Sequence, residues 1–153
     1  MFSFLKRKAT DYFSLQNREL IANAIAEAEK KTSGEIRVYV ESELKTGQPL
    51  DRAKELFDGL NMFATEEHNG VLVYIAIKSR KLAIYADEGI YRKLGQEYWD
   101  KEVSTMLFHF NRNDYVDGII TIVHDIGAAL SEHFPYDKKG DINELPNDVV
   151  FGK

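Results

Sequence analysis

The stretch Thr32-Ser33-Gly34-Glu35-Ile36-Arg37-Val38-Tyr39-Val40-Glu41 constrains the fold more than any other part of the chain. Ile36, Val38 and Val40 alternate with Glu35, Arg37, Tyr39 and Glu41, the period of two that a pleated strand imposes. Just before it, Leu20, Ile21, Ala24, Ile25 and Ala28 recur at helical spacing, and Ser14 is a suitable N-cap for a helix reaching about Lys31. The pattern predicts a helix that Gly34 ends and a strand that Glu35 begins.

The remainder reads as helix, hairpin, helices and tail. A polar loop from Ser42 to Gln48 leads to Pro49, a favoured first helical residue, and Leu50, Ala53, Leu56, Phe57 and Leu60 then share one face. After the His68-Asn69-Gly70 turn, Val71 to Ile77 is apolar on both faces, as in a central strand covered on both sides. Ser79-Arg80 reverses the chain into a third strand, Lys81 to Ala86. Beyond Asp87-Glu88-Gly89 come a short helix to Leu94, a longer one carrying Trp99, Val103, Met106, Leu107 and Phe110, and a last one starting near Asp114. Gly127 in that last helix is expected to let it approach the sheet, and Pro135 closes it.

At 153 residues with 44% hydrophobic and 29% charged residues, the chain has the size and balance of one domain with its own core. It has no cysteine, which removes thiol catalysis, thiolate zinc sites and disulfides. A net charge of −5 argues against nucleic acid and suits cations better. The start, Met1 to Lys8, lacks the charge-then-apolar order of a secretory signal, and no run approaches a membrane span. The expectation is a cytoplasmic protein without stable membrane insertion. Phe2, Phe4 and Leu5 are read as part of a frayed terminus.

Strand geometry locates a candidate site. A strand, helix, strand connection within one sheet is normally a right-handed crossover, so the strands starting at Glu35 and Val71 should run parallel. The hairpin partner runs back, bringing Asp87 and Glu88 to the edge where Glu35 and the His68-Asn69-Gly70 turn lie. If the last helix starts above this edge, Asp114 and Asp117 join the cluster. Clustered carboxylates repel unless a cation or a proton compensates, and oxygen-only ligands favour calcium or magnesium. The structural alternative makes Asp114 an N-cap, Asp117 its capping-box partner, and Asp87 and Glu88 favourable charges at a short helix start.

Four landmarks in order, Thr32-Ser33-Gly34-Glu35-Ile36-Arg37-Val38, Asn69-Gly70-Val71-Leu72-Val73-Tyr74, Ala86-Asp87-Glu88-Gly89-Ile90 and Phe110 to Ile119, resemble those of the TPM domain family. The likeness runs from about Phe13 to Phe134. It implies an α/β sandwich with a cleft that binds divalent cations, and weak acid phosphatase activity is attributed to some members. Glu35, Asp87, Asp114 and Asp117 match the family's polar landmarks, whereas Glu88 is added on geometry alone. Asp87-Glu88-Gly89 stands where relatives commonly have Gly-x-Gly, so an acidic residue replaces a glycine.

The resulting expectation is a three-layer α/β/α sandwich around a small mixed sheet with a parallel crossover and an antiparallel hairpin. Its parts are an N-terminal extension over 1–13, a TPM-like domain over 14–134 and a C-terminal tail over 135–153. The expected function is a divalent-cation-binding interaction or quality-control module, using calcium or magnesium and serving a protein partner. A weak metal-assisted acid phosphatase is the alternative, with Arg37 as the candidate anion-binding group because it leaves its strand on the same side as Glu35.

Overall fold

The computed structural model describes residues 8–136 and 149–152. The elements are α1 (Leu15–Glu29), β1 (Glu35–Glu41), α2 (Pro49–Gly59), β2 (Gly70–Ala76), β3 (Lys81–Ala86), α3 (Glu88–Leu94), α4 (Gln96–Asn111), α5 (Tyr115–His133) and β4 (Val150–Phe151). Local chemistry sets their starts: the Ser14 hydroxyl accepts the Asn17 N–H at 3.0 Å, and Pro49 sits in the first turn of α2. Gly95, at φ 81°, separates α3 from α4 in a conformation that favours glycine.

The sheet order is β3-β2-β1-β4. β1 and β2 are parallel, with Glu35 opposite Gly70, and α2 forms the crossover between them. β2 and β3 are an antiparallel hairpin with Val71 opposite Ala86. The alternation of β1 divides two cores. Ile36, Val38 and Val40 pack with α1, α4 and α5 through Ile25, Met106, Ile119 and Ile122, whereas Leu72, Tyr74 and Ala83 pack with Ala53 and Phe57 of α2 on the other face. The result is the expected three-layer sandwich.

Three details differ from the sequence reading. α1 ends at Glu29, well before Gly34, and an added Cβ at Gly34 would lie 2.7 Å from Leu130 Cδ2. Gly34 therefore admits α5 rather than capping α1. Gly127 admits α1 rather than the sheet, since its Cβ would lie 2.6 Å from that of Ala28. At the C-terminus, Val150 and Phe151 form a parallel strand against Tyr39 and Val40, and Val149 is buried. Phe151 meets Phe13 with ring centroids 5.9 Å apart and lies under the Arg18 guanidinium at 5.5 Å. The end of the expected tail is thus part of the sheet, because its apolar residues cover an otherwise open edge.

Phe2, Phe4, Leu5 and the stretch from Lys138 to Pro146 lie outside the described residues. No described helix is long and apolar enough to cross a membrane.

Candidate functional site

The starts of β1 and β2 and the end of β3 meet at one edge. The Glu35 N–H donates to the Asn69 carbonyl at 3.3 Å and the Asp87 N–H to the Gly70 carbonyl at 2.9 Å. Around them the Ser33 hydroxyl donates to Glu67 at 2.9 Å and accepts from the Asn69 side-chain amide at 3.1 Å. The Asn69 Oδ1 is buried and has no hydrogen-bond partner among the described residues. Gly89 fixes how closely the α3 start fits this turn, because an added Cβ would collide with the Glu67 carbonyl oxygen.

Each expected ligand has a protein partner here. Asp87 is the N-cap of α3: its Oδ1 accepts the Glu88 N–H at 2.8 Å, and its Oδ2 lies 3.3 Å from His68 Nδ1. Glu88 pairs with Arg92 one helical turn on. Glu35 is buried against Glu29, with Arg37 beside both. Burial and the neighbouring Glu35 carboxylate push Glu29 up to about 9, so Glu29 holds its proton through neutral pH and donates it to Glu35. Its other role is to accept the Ile36 N–H at 2.7 Å. Burial also pulls Arg37 down, opposed by the charges of Glu29 and Glu35. Arg37 is 5% exposed, so it is not presented to an incoming anion, and its Nε is buried without a hydrogen-bond partner among the described residues.

Asp114 and Asp117 are not brought to this edge. The C-terminal end of α5 is the end that lies there: the Thr32 hydroxyl faces the carbonyl oxygens of Leu130, at 3.1 Å, and of Phe134. Asp114 is sixteen residues before Leu130, about 24 Å along a helix axis. Asp114 occupies the N-cap position of α5 without a side-chain capping bond, and its carboxylate instead lies 3.3 Å from His109 Nδ1. The expected five-residue cluster therefore reduces to Glu35, Asp87 and Glu88 at one edge, and no group of three His, Cys, Asp or Glu among the described residues has metal-holding geometry.

Sequence reasoning missed Glu29, Asn69 and a second polar centre at the far end of β1. There Arg52 grips Glu41 through Nε and Nη2, both at 3.0 Å, and the Tyr74 hydroxyl donates to the same carboxylate. The signal for this triad was present, since Glu41 and Tyr74 occupy the α2-facing positions of adjacent strands. Nothing in periodicity marks Glu29, which closes α1 on a partner from another element.

The TPM domain model matches residues 7–129. Among solved structures, the BA42 protein of the psychrophilic bacterium Bizionia argentinensis is 35% identical, with a TM-score of 0.84 over 92% of this chain and 95% of that one. The N-terminal domain of a P. gingivalis protein is 16% identical with a TM-score of 0.66, covering 82% of this chain and 83% of its own. The N-terminal domain of the cg2496 protein of Corynebacterium glutamicum is 13% identical with a TM-score of 0.63, covering 79% and 76%. These two support the fold alone. No curated protein matches the chain. With the family model spanning most of its length and a relative of this identity aligned almost end to end, the chain belongs to the TPM domain family.

Proposed function

We propose that this TPM domain is an interaction or quality-control module in which a divalent cation, calcium or magnesium, orders the strand-start edge for a protein partner. The observation that carries the reading is the Asn69 Oδ1, buried without a hydrogen-bond partner among the described residues, on a side chain whose amide nitrogen is linked through Ser33 to Glu67. An oxygen acceptor left in this state costs about 1–3 kcal/mol, and amide and carboxylate oxygens are what these hard cations take. The fit is partial. Asp87 would have to exchange His68 for the ion, while Glu35 is already answered by Glu29 and Arg37.

The alternative, a weak metal-assisted phosphatase, needs a positive group for the phosphate. Arg37 is 5% exposed and so is not open to an incoming phosphate, which favours the binding module.

The test is a titration of the full chain with calcium chloride and with magnesium chloride, followed by amide NMR. The reading expects shifts at Glu35, Asn69 and Asp87, a rise in melting temperature by mass action, and weaker binding in Asp87→Asn. Asp114→Asn and Asp117→Asn should leave the affinity unchanged. Flat spectra well into the millimolar range would overturn the cation role. Cation-dependent turnover of a phosphomonoester at about one per second or more, abolished in Asp87→Asn, would favour the enzyme instead.

A further inference from the structure

β3 lies at the outer edge of the sheet, and no other described strand pairs with it on that side. In the ladder with β2, Asp87 donates to Gly70 and Tyr85 faces Leu72, so alternate residues Ala83 and Tyr85 direct their backbone groups inward. The amides and carbonyls of Leu82, Ile84 and Ala86 consequently point outward, and none has a hydrogen-bond partner among the described residues. Such an edge is a template for another strand.

A groove of about 750 Å³ runs along it. One wall is the start of α2, where Leu50 is 52% exposed; the other is Tyr91 of α3 with Trp99 and Val103 of α4. Trp99 is 3% exposed and forms the apolar floor of that wall. Asp87, Glu88 and Asp100 make the rim acidic, and its Arg92 is already paired with Glu88.

We propose that this groove binds an extended segment of a partner protein as a strand beside β3. The segment is about six residues, or roughly 20 Å, long. Its alternate apolar side chains lie against Trp99 and Val103, and a lysine or arginine sits near Asp87 and Asp100. The unpaired backbone row demands an extended chain, the walls demand apolar side chains, and the rim demands positive charge. A second copy of this chain fits less well, because it would bring its own α2 and α4 walls into the same groove. The inference rests on the reading of the domain as an interaction module, but not on the cation.

The test is selection of random dodecapeptides displayed on phage against the full chain in EDTA, with the selected peptides then synthesised and followed by NMR. The expected winners alternate β-branched or aromatic residues with polar ones, carry lysine or arginine, and slow exchange of the Leu82, Ile84 and Ala86 amides. Ala86→Pro, which removes one outward donor but no bond to β2, should weaken them about tenfold. Asp100→Lys, at an exposed position, should weaken them by a similar factor of about ten, and decides the matter if Ala86→Pro does not fold.

Absence of any enriched peptide, or binding unchanged by both substitutions, would overturn the proposal. So would a concentration-dependent dimer that protects the same amides without peptide. Peptide binding with no response to calcium or magnesium would refute the cation role alone, and the reverse would refute the groove alone.

Discussion

The two edges of this sheet meet the same physical demand in opposite ways. On β1 the outward positions are Ile36, Val38 and Val40; the Ile36 N–H is taken by the Glu29 carboxyl, and the Val40 carbonyl accepts the Gly152 N–H at 2.7 Å. On β3 the outward groups of Leu82, Ile84 and Ala86 face a groove instead. A sheet edge in water is tolerable, but it is also adhesive. The chain covers one edge with its own C-terminal strand and a side chain, whereas among the described residues the other is left as a walled groove with an acidic rim, which suits an added strand.

The largest expected effect comes from opening the closed edge. Removing residues 149–153 takes away buried Val149 and the Phe151 contacts with Phe13 and Arg18. Denaturant unfolding should show a loss of about 2–4 kcal/mol, and sedimentation should show self-association as β1 acquires a free edge. A truncated chain that stays fully stable and monomeric would mean that β4 covers nothing of consequence.

Glu29 sharpens the comparison through pH. Its folded pKa is raised from an ordinary carboxylate value of 4.5 to about 9, so its stabilising contribution is whole below about pH 4.5 and is lost as pH climbs towards 9. Glu29→Gln keeps an oxygen for the Ile36 N–H and a donor for Glu35 without the titration. The difference in stability between the Glu29→Gln variant and the parent chain should therefore grow in favour of the variant as pH rises across that window. Glu29→Ala, which leaves the Ile36 N–H without its acceptor, should cost about 1–3 kcal/mol. A parent and Glu29→Gln pair with parallel stability curves from pH 5 to 9 would contradict the shared proton.

The smallest effect belongs to the open edge. Because the Ala86 N–H has no partner among the described residues, Ala86→Pro should change unfolding free energy by no more than about 1 kcal/mol. A loss several times larger would mean that this amide is already used.

Much of this architecture was legible in the residues. Alternation over Glu35 to Glu41 put Ile36, Val38 and Val40 on one face and Tyr39 on the other, as found, and the apolar run at Val71 marked a strand covered on both sides. The crossover and hairpin then carried Asp87 to the edge where Glu35 begins. Helical periodicity, by contrast, gives the buried face of α5 but not which end lies over which edge, and so Asp114 and Asp117 were expected at the wrong end of the molecule. Val150 and Phe151 are too short a run to display a period, and their pairing depends on β1 lacking a neighbour there. Asn69 was legible as part of a turn and of a landmark, but not as the holder of an oxygen that the surrounding fold leaves without a partner among the described residues.

The contrast between the two edges is tested most directly by amide hydrogen exchange of the full chain without added ligand. Ile36 and Gly152 should exchange about a hundredfold or more slowly than Leu82, Ile84 and Ala86, once each is corrected for its intrinsic rate. Equal protection at the two edges would contradict the account, because β3 would then already have a partner.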